Sequence, residues 1–163
     1  MKTQNILMAL AQRQPTRREI QTPAGIISLE TPSFKDVVSK QAGQHSYPIT
    51  LKPHGSSEER TMGHIGIECK KVRYLSSVLY TAAKIKHLSD DDTIAEITAF
   101  YPFREEPRLV GKGMGIAVME LLLEECKSEG IVAVYGRTTN TAMLDLLGRA
   151  GFQNIEGYYL KKI

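Results

Sequence analysis

Two features of this chain combine residue type and spacing in a way that can do chemistry. The first is Val110-Gly111-Lys112-Gly113-Met114-Gly115, three glycines in five residues, followed by a Leu-rich segment. Glycine lets backbone approach a ligand closely and reach positive φ without a Cβ penalty. A helix beginning near Gly115 would add unpaired N–H groups and the positive end of its dipole, which together suit a phosphate or pyrophosphate. No Gly-Lys-Ser/Thr follows, so this is not a P-loop. The sixth position from Gly111 or Gly113 is Ile116 or Val118, so the dinucleotide fingerprint is also missing. The second feature is Glu96, within Thr93–Tyr101. Strict alternation puts Ile94, Thr98 and Phe100 on its face, and a carboxylate among such neighbours is either paired with a Lys or Arg or functional. In the functional case it takes a proton as a general base, with Glu68 on a preceding segment as second choice. Tyr80, Tyr158 and Tyr159 are candidate acids that position does not separate from packing residues.

These groups need a frame. Thr93–Tyr101 is rich in β-branched and aromatic residues and is the clearest strand. Ile116–Glu129 is a helix, with Met119, Leu122, Leu123 and Cys126 at i, i+3, i+4, i+7, and Gly130 suited to end it. Ile131–Tyr135 is a continuous apolar run, the pattern of a strand covered on both faces. Asn140 suits an N-cap for a second helix carrying Met143, Leu146, Leu147 and Ala150. Gly151 closes that helix, and Gly157–Ile163 is a last strand. Earlier signals are weaker. Gly25–Leu29, Tyr47–Lys52, Gly63–Lys70 and Ser77–Lys86 read as strands, the last ambiguous with helix because of Ala82 and Ala83. A short helix follows Thr31-Pro32, and residues 1–22 read as an N-terminal helical extension whose amphipathic part ends at Pro15. Pro53–Ser57 and Asp90–Asp92 are loop or turn.

The stretch VGKGMGIAVMELLLEECKSEGIVAVYGRTTNTAMLDLLGRAGF resembles the acetyl-coenzyme A core of the GNAT superfamily of N-acetyltransferases, over about residues 93 to 155. Gly113 and Gly115 match the turn glycines, Gly130 the break after the helix, Asn140 the following asparagine, and Gly151-Phe152 the helix ending. The resemblance implies a single α/β (α+β) domain over residues 1–163, with a mixed, mostly antiparallel central sheet splayed between two strands and flanked by helices. It also implies transfer of an acetyl or short acyl group from acetyl-CoA to a primary amine, with no metal. The pyrophosphate would lie on N–H groups from Gly111 through Lys112, Gly113 and Met114 to Gly115, with Val110 also in the cofactor site. The pantetheine arm would pair with the strand edge near Phe100 and Tyr101, and Asn140 would bond that arm. Three departures stand out: Val110 in place of a Gln or Arg, a long link Pro102–Leu109, and Leu147 where many members carry a tyrosine acid. They keep open a catalytically silent acyl-CoA-binding module as the alternative.

Bulk properties set limits. Among 163 residues, 42% are apolar and 24% charged, the composition of a globular domain. The net charge of +3 is too mild to argue for a nucleic-acid partner. No apolar run approaches the ~20 residues of a membrane span. Cys69 and Cys126 form no CxxC, and His45, His54, His64 and His87 show no ligand spacing, so neither a disulfide framework nor a metal site is indicated. A reducing, cytoplasmic setting is the simpler expectation. The partners implied are an amine acceptor, either a small molecule or a protein lysine or N-terminus, and at most a second copy of the chain.

Overall fold

The computed structural model describes residues 17–30, 44–110 and 113–163. Eight strands occur there: β1 Arg17–Thr22, β2 Gly25–Glu30, β3 Gln44–Pro53, β4 Arg60–Lys71, β5 Thr93–Tyr101, β6 Ala133–Gly136, β7 Gln153–Ile155 and β8 Tyr158–Lys162. They form one sheet in the order β1-β2-β3-β4-β5-β6-β8-β7. The β5–β6 pair is parallel and the other pairs are antiparallel. Three α-helices join them: α1 Ser77–Ile85, α2 Met114–Ser128 and α3 Thr141–Arg149.

Alternation along the strands divides the core in two. Ala95, Ile97 and Val134 face the larger cluster, where α2 contributes Val118, Met119, Leu121, Leu122 and Cys126 and α3 contributes Leu146 and Leu147. Their sequence neighbours Ile94, Ala133 and Tyr135 face the smaller cluster, closed by Leu79, Ala82 and Ala83 of α1. Each fully buried aliphatic side chain contributes roughly 1.5–3 kcal/mol. The sheet is therefore covered on both sides at its centre, as the continuous apolar run of β6 requires.

Several expectations change here. Ser77–Lys86 is a helix rather than a strand, because Leu79, Ala82 and Ala83 recur at helical spacing and are all buried. Arg17–Thr22, expected within the helical extension 1–22, is instead the outermost strand, paired with β2 from Arg17↔Glu30 to Thr22↔Gly25. The rest of that extension and the helix expected after Thr31-Pro32 lie outside the described residues. Strand β7 was not anticipated; it is three residues long and exists as the edge partner of β8.

Candidate functional site

The centre of the site is a change of partners on both sides of β5 at one residue. On one side, β6 pairs with Ile94, Ala95, Glu96 and Ile97, and the pairing stops at Ile97↔Gly136. Among the described residues, no strand lies beside the edge from Thr98 to Tyr101 on this side. On the other side, β4 pairs Ile67 with Ile97 and Gly66 with Ala99, so Thr98 is the extra residue of a β-bulge. Thr98 is exposed in the middle of the sheet. Two β4 glycines allow β5 to run this close. A Cβ on Gly66 would lie 2.9 Å from Thr98 Oγ1, and one on Gly63 would lie 1.9 Å from the Tyr101 carbonyl oxygen.

The bulge also corrects the strict alternation expected for β5. Phe100 pairs with Ile65 and packs against the larger core, so it leaves the face of Glu96. Ile94 stays on the face of Glu96, in the smaller core. Tyr101 pairs with His64, and their rings lie 5.8 Å apart. The face of β4 and β5 opposite α2 thus carries, in order, His64 with Tyr101, the gap at Gly66 with Thr98, and Glu68 opposite Glu96. His64, in the sequence only a histidine without ligand spacing, belongs to this strip, and strand register reveals it.

Glu96 is held from two sides. Lys70 Nζ donates to its Oε2 at 3.1 Å, and the Tyr135 hydroxyl donates to the same oxygen at 3.0 Å. Lys70 also lies over the Tyr135 ring, 5.9 Å from its centroid. Burial alone would lower the pKa of Lys70, but its bonds with Tyr135 and Glu96 outweigh that and raise it. Burial pushes the Tyr135 phenol up to about 12, so it stays a donor at neutral pH. The paired role foreseen for Glu96 is therefore realised, while Oε1 is left without a partner among the described residues. Glu68 is half-buried and has no hydrogen bond or ion pair among them.

The glycine turn lies at the start of α2. Gly113 is its N-cap with φ 75°, the left-handed conformation, and no side chain caps the helix. No acidic residue occupies the first turn, so its N–H groups and positive dipole are uncompensated. Nothing lies within 4 Å of a Cβ built on Gly113, whereas one on Gly115 would touch Leu146 of α3 at 3.5 Å. Among the described residues, Gly113 is therefore open on its Cβ side and Gly115 abuts α3. The side chain of Met114 is buried in the core, leaving only its backbone to face the turn. Val110 and Tyr101 are 59% and 58% exposed, large apolar groups left uncovered beside the turn and the free edge. Gly111 and Lys112 lie outside the described residues. Asn140 Oδ1 accepts the Met143 N–H at 3.0 Å, capping α3 as foreseen.

The link Pro102–Leu109 is anchored to β4. The Glu105 N–H bonds the Met62 carbonyl at 2.8 Å, and Arg60 binds Glu106 at 2.6 Å. Phe103 is buried, so the length of this link is a packed feature. Of the candidate acids, Tyr80, a residue of α1, donates to Asp90 at 2.9 Å. Among the described residues no three His, Cys, Asp or Glu side chains are grouped to hold a metal ion, and no helix is long and apolar enough to cross a membrane.

No protein-family profile and no curated protein matches the chain. Solved structures do. A putative arylalkylamine N-acetyltransferase 7 from the mosquito Aedes aegypti aligns over 92% of this chain and 96% of its own, with a TM-score of 0.57 at 12% identity. The aminoglycoside acetyltransferase AAC(6')-Ib in complex with coenzyme A aligns over 80% of this chain and 77% of its own, with a TM-score of 0.51 at 14% identity. A domain from Methanocaldococcus jannaschii aligns over 80% and 73%, with a TM-score of 0.50 at 16% identity. At these identities the likeness is one of fold.

Proposed function

We propose that this chain, which has the fold of the GNAT N-acetyltransferases, transfers an acetyl or short acyl group from coenzyme A to a primary amine by direct attack. The observation that carries the reading is the loss of β6 from the edge of β5 beyond Ile97, on a sheet whose next α-helix, α2, starts at a glycine and has no side-chain cap. An unpaired strand edge accepts an extended amide chain as an added strand, and the pantetheine arm is such a chain. The N–H groups of Gly113, Met114 and Gly115, with Gly111 and Lys112 before them, suit its pyrophosphate. Val110 and Tyr101 flank the arm. Asn140 keeps its amide N–H groups available for it, because the cap uses only Oδ1.

Residues of the chain then carry the proton chemistry. An alkylammonium with pKa ~10.4 is mostly charged at pH 7 and attacks only after losing a proton. Glu96 Oε1 receives that proton, directly or by way of Glu68 across the strand pair. Lys70 and Tyr135 hold the other oxygen and fix the carboxylate. As the amine nitrogen bonds the carbonyl carbon and the carbon–sulfur bond breaks, backbone N–H groups near Phe100 and Tyr101 face the oxygen that becomes negative. The electron pair leaves with the sulfur, which takes the second proton that the nitrogen sheds on becoming an amide.

One observation favours a second reading, an acyl-CoA-binding module without turnover. Leu147 is fully buried at the position where the resemblance leads one to look for a tyrosine acid. Incubation with acetyl-CoA and a panel of primary amines separates the two. Release of free thiol together with N-acetylated product is the expected result. Coenzyme A binding in calorimetry without thiol release would favour the silent module, and absence of binding would overturn both.

A further inference from the structure

Thr98 is the residue at which β5 changes partners on both edges, and no role for it follows from the groups discussed so far. It is the extra residue of the bulge against β4 and the first residue beyond the last β5–β6 pair. Its side chain lies on the same face as Glu68 and Glu96, as strand alternation and its contact with Gly66 both require. Its hydroxyl makes no hydrogen bond with any other described residue, although it stands between a carboxylate pair and an aromatic pair. Gly66 is what makes room for it: a Cβ there would lie 2.9 Å from Oγ1 and 3.3 Å from the Ala99 Cβ. An unoccupied hydroxyl over a glycine gap, at the point where the sheet opens, is a group placed for an incoming molecule.

We infer that Thr98 Oγ1 binds the acceptor amine and aims its nitrogen at the thioester carbon. The inference rests on the acyl-transfer reading and deepens it by naming a residue that selects and orients the acceptor. Glu96 lies two residues back on the same face, so the two groups divide the work on one nitrogen. Thr98 accepts a hydrogen bond from the N–H that the nitrogen keeps, while Glu96 takes the proton that the ammonium loses before it attacks. No net proton passes to Thr98. The nitrogen lone pair forms the C–N bond, the C–S bond breaks, and the departing sulfur carries off the electron pair and takes the second proton, which the nitrogen sheds on becoming an amide. A nitrogen with two N–H bonds after deprotonation satisfies both the reaction and the hydroxyl. A secondary amine has one N–H, which it must lose on forming the amide, so the hydroxyl favours primary amines.

The test compares Thr98→Val and Thr98→Ser with the parent. Valine keeps the β-branched shape and strand preference but deletes the hydroxyl, and serine keeps the hydroxyl. For Thr98→Val, kcat/KM for the acceptor should fall about 10–100-fold, the effect of losing one hydrogen bond to a reacting group. The KM for acetyl-CoA should stay within about twofold of the parent. Thr98→Ser should recover most of the loss, and the advantage of a primary over a matched secondary amine should shrink in Thr98→Val alone. Valine and parent with equal acceptor kinetics would overturn the inference while leaving acyl transfer intact. So would an equal loss in both variants, since that reports bulge geometry instead of a hydroxyl. A parent that binds coenzyme A but acetylates no amine would sink the acyl-transfer reading, and this inference with it.

Discussion

Glu68 and Glu96 stand directly opposite each other across the β4–β5 pair, yet among the described residues only Glu96 is bonded, with Lys70 and Tyr135 both donating to its Oε2. Like charges directly opposite on a strand pair are destabilising; Lys70 balances the one at Glu96, while Glu68 is half-buried without a hydrogen bond or ion pair among the described residues. That asymmetry leaves one fixed carboxylate and one adaptable carboxylate beside the free edge of β5. It is the arrangement expected where a cation is received and a proton removed.

Replacing Glu96 with Gln tests the fixed member. Shape and hydrogen bonding are kept and the base is deleted. The rate should fall ~10²–10⁴-fold, and coenzyme A affinity should hardly change. A purely structural ion pair would give the reverse: a lower Tm with intact kinetics of the folded protein. Glu68→Gln should cost less than Glu96→Gln, and a larger loss would reassign the base to Glu68.

Gly113 should be required for coenzyme A rather than for packing. Nothing lies within 4 Å of a Cβ there, so the fold has room for a side chain. Gly113→Ala should cost stability alone, roughly 1–2 kcal/mol for a non-glycine residue at positive φ. Gly113→Glu adds bulk and negative charge where a pyrophosphate would lie. Its affinity for coenzyme A should drop by at least ~2 kcal/mol, about thirtyfold, with the circular dichroism spectrum retained. Unchanged affinity in calorimetry would remove the phosphate role of the turn.

Leu147 should behave as core. It is fully buried in the larger cluster, and its carbonyl accepts the Phe152 N–H at 3.0 Å where α3 turns into β7. Leu147→Ala should lower stability by ~2–5 kcal/mol in denaturant unfolding. Leu147→Tyr should overpack the same site and give no large gain in rate. A marked rate gain would mean that the departing thiolate lacks an acid which this position can supply.

How far the sequence reached depended on the strength of each local pattern. Met119, Leu122 and Cys126 of α2 recur at helical spacing and all three are buried, so that helix was legible. In Ser77–Ile85 the β-favouring Val78 and Tyr80 masked a helical stripe decided by contact with Val72 and Leu88. Arg17–Thr22 carries a single aliphatic residue, Ile20, and becomes a strand by pairing with β2. The bulge at Thr98 leaves no trace in composition, so strict alternation carried Phe100 to the wrong face. The groups holding Glu96 lie 26 and 39 residues away along the chain, and no local spacing joins them. The glycine turn and Asn140 were visible because φ and capping are local demands.

Glu125 gives the last prediction, a dependence of stability on pH. Its side chain is 1% exposed, on the face of α2 that packs beneath β1. Arg18 Nε donates to Oε2 at 2.7 Å, while Oε1 is buried with no partner among the described residues. Burial raises the pKa of this carboxyl, Arg18 opposes the rise, and Glu129 one turn along the helix adds to it. A carboxyl with its folded pKa raised binds its proton more tightly in the folded state than in the unfolded chain. Its contribution to stability is therefore complete below the ordinary carboxylate range and is lost as pH rises through the raised value. Glu125→Gln cannot ionise and lacks that loss, while its amide oxygen can still accept from Arg18. Denaturant midpoints measured from pH 4 to pH 8 should show the variant gaining on the parent as pH rises. Parallel curves would mean that Arg18 neutralises the burial of Glu125 completely.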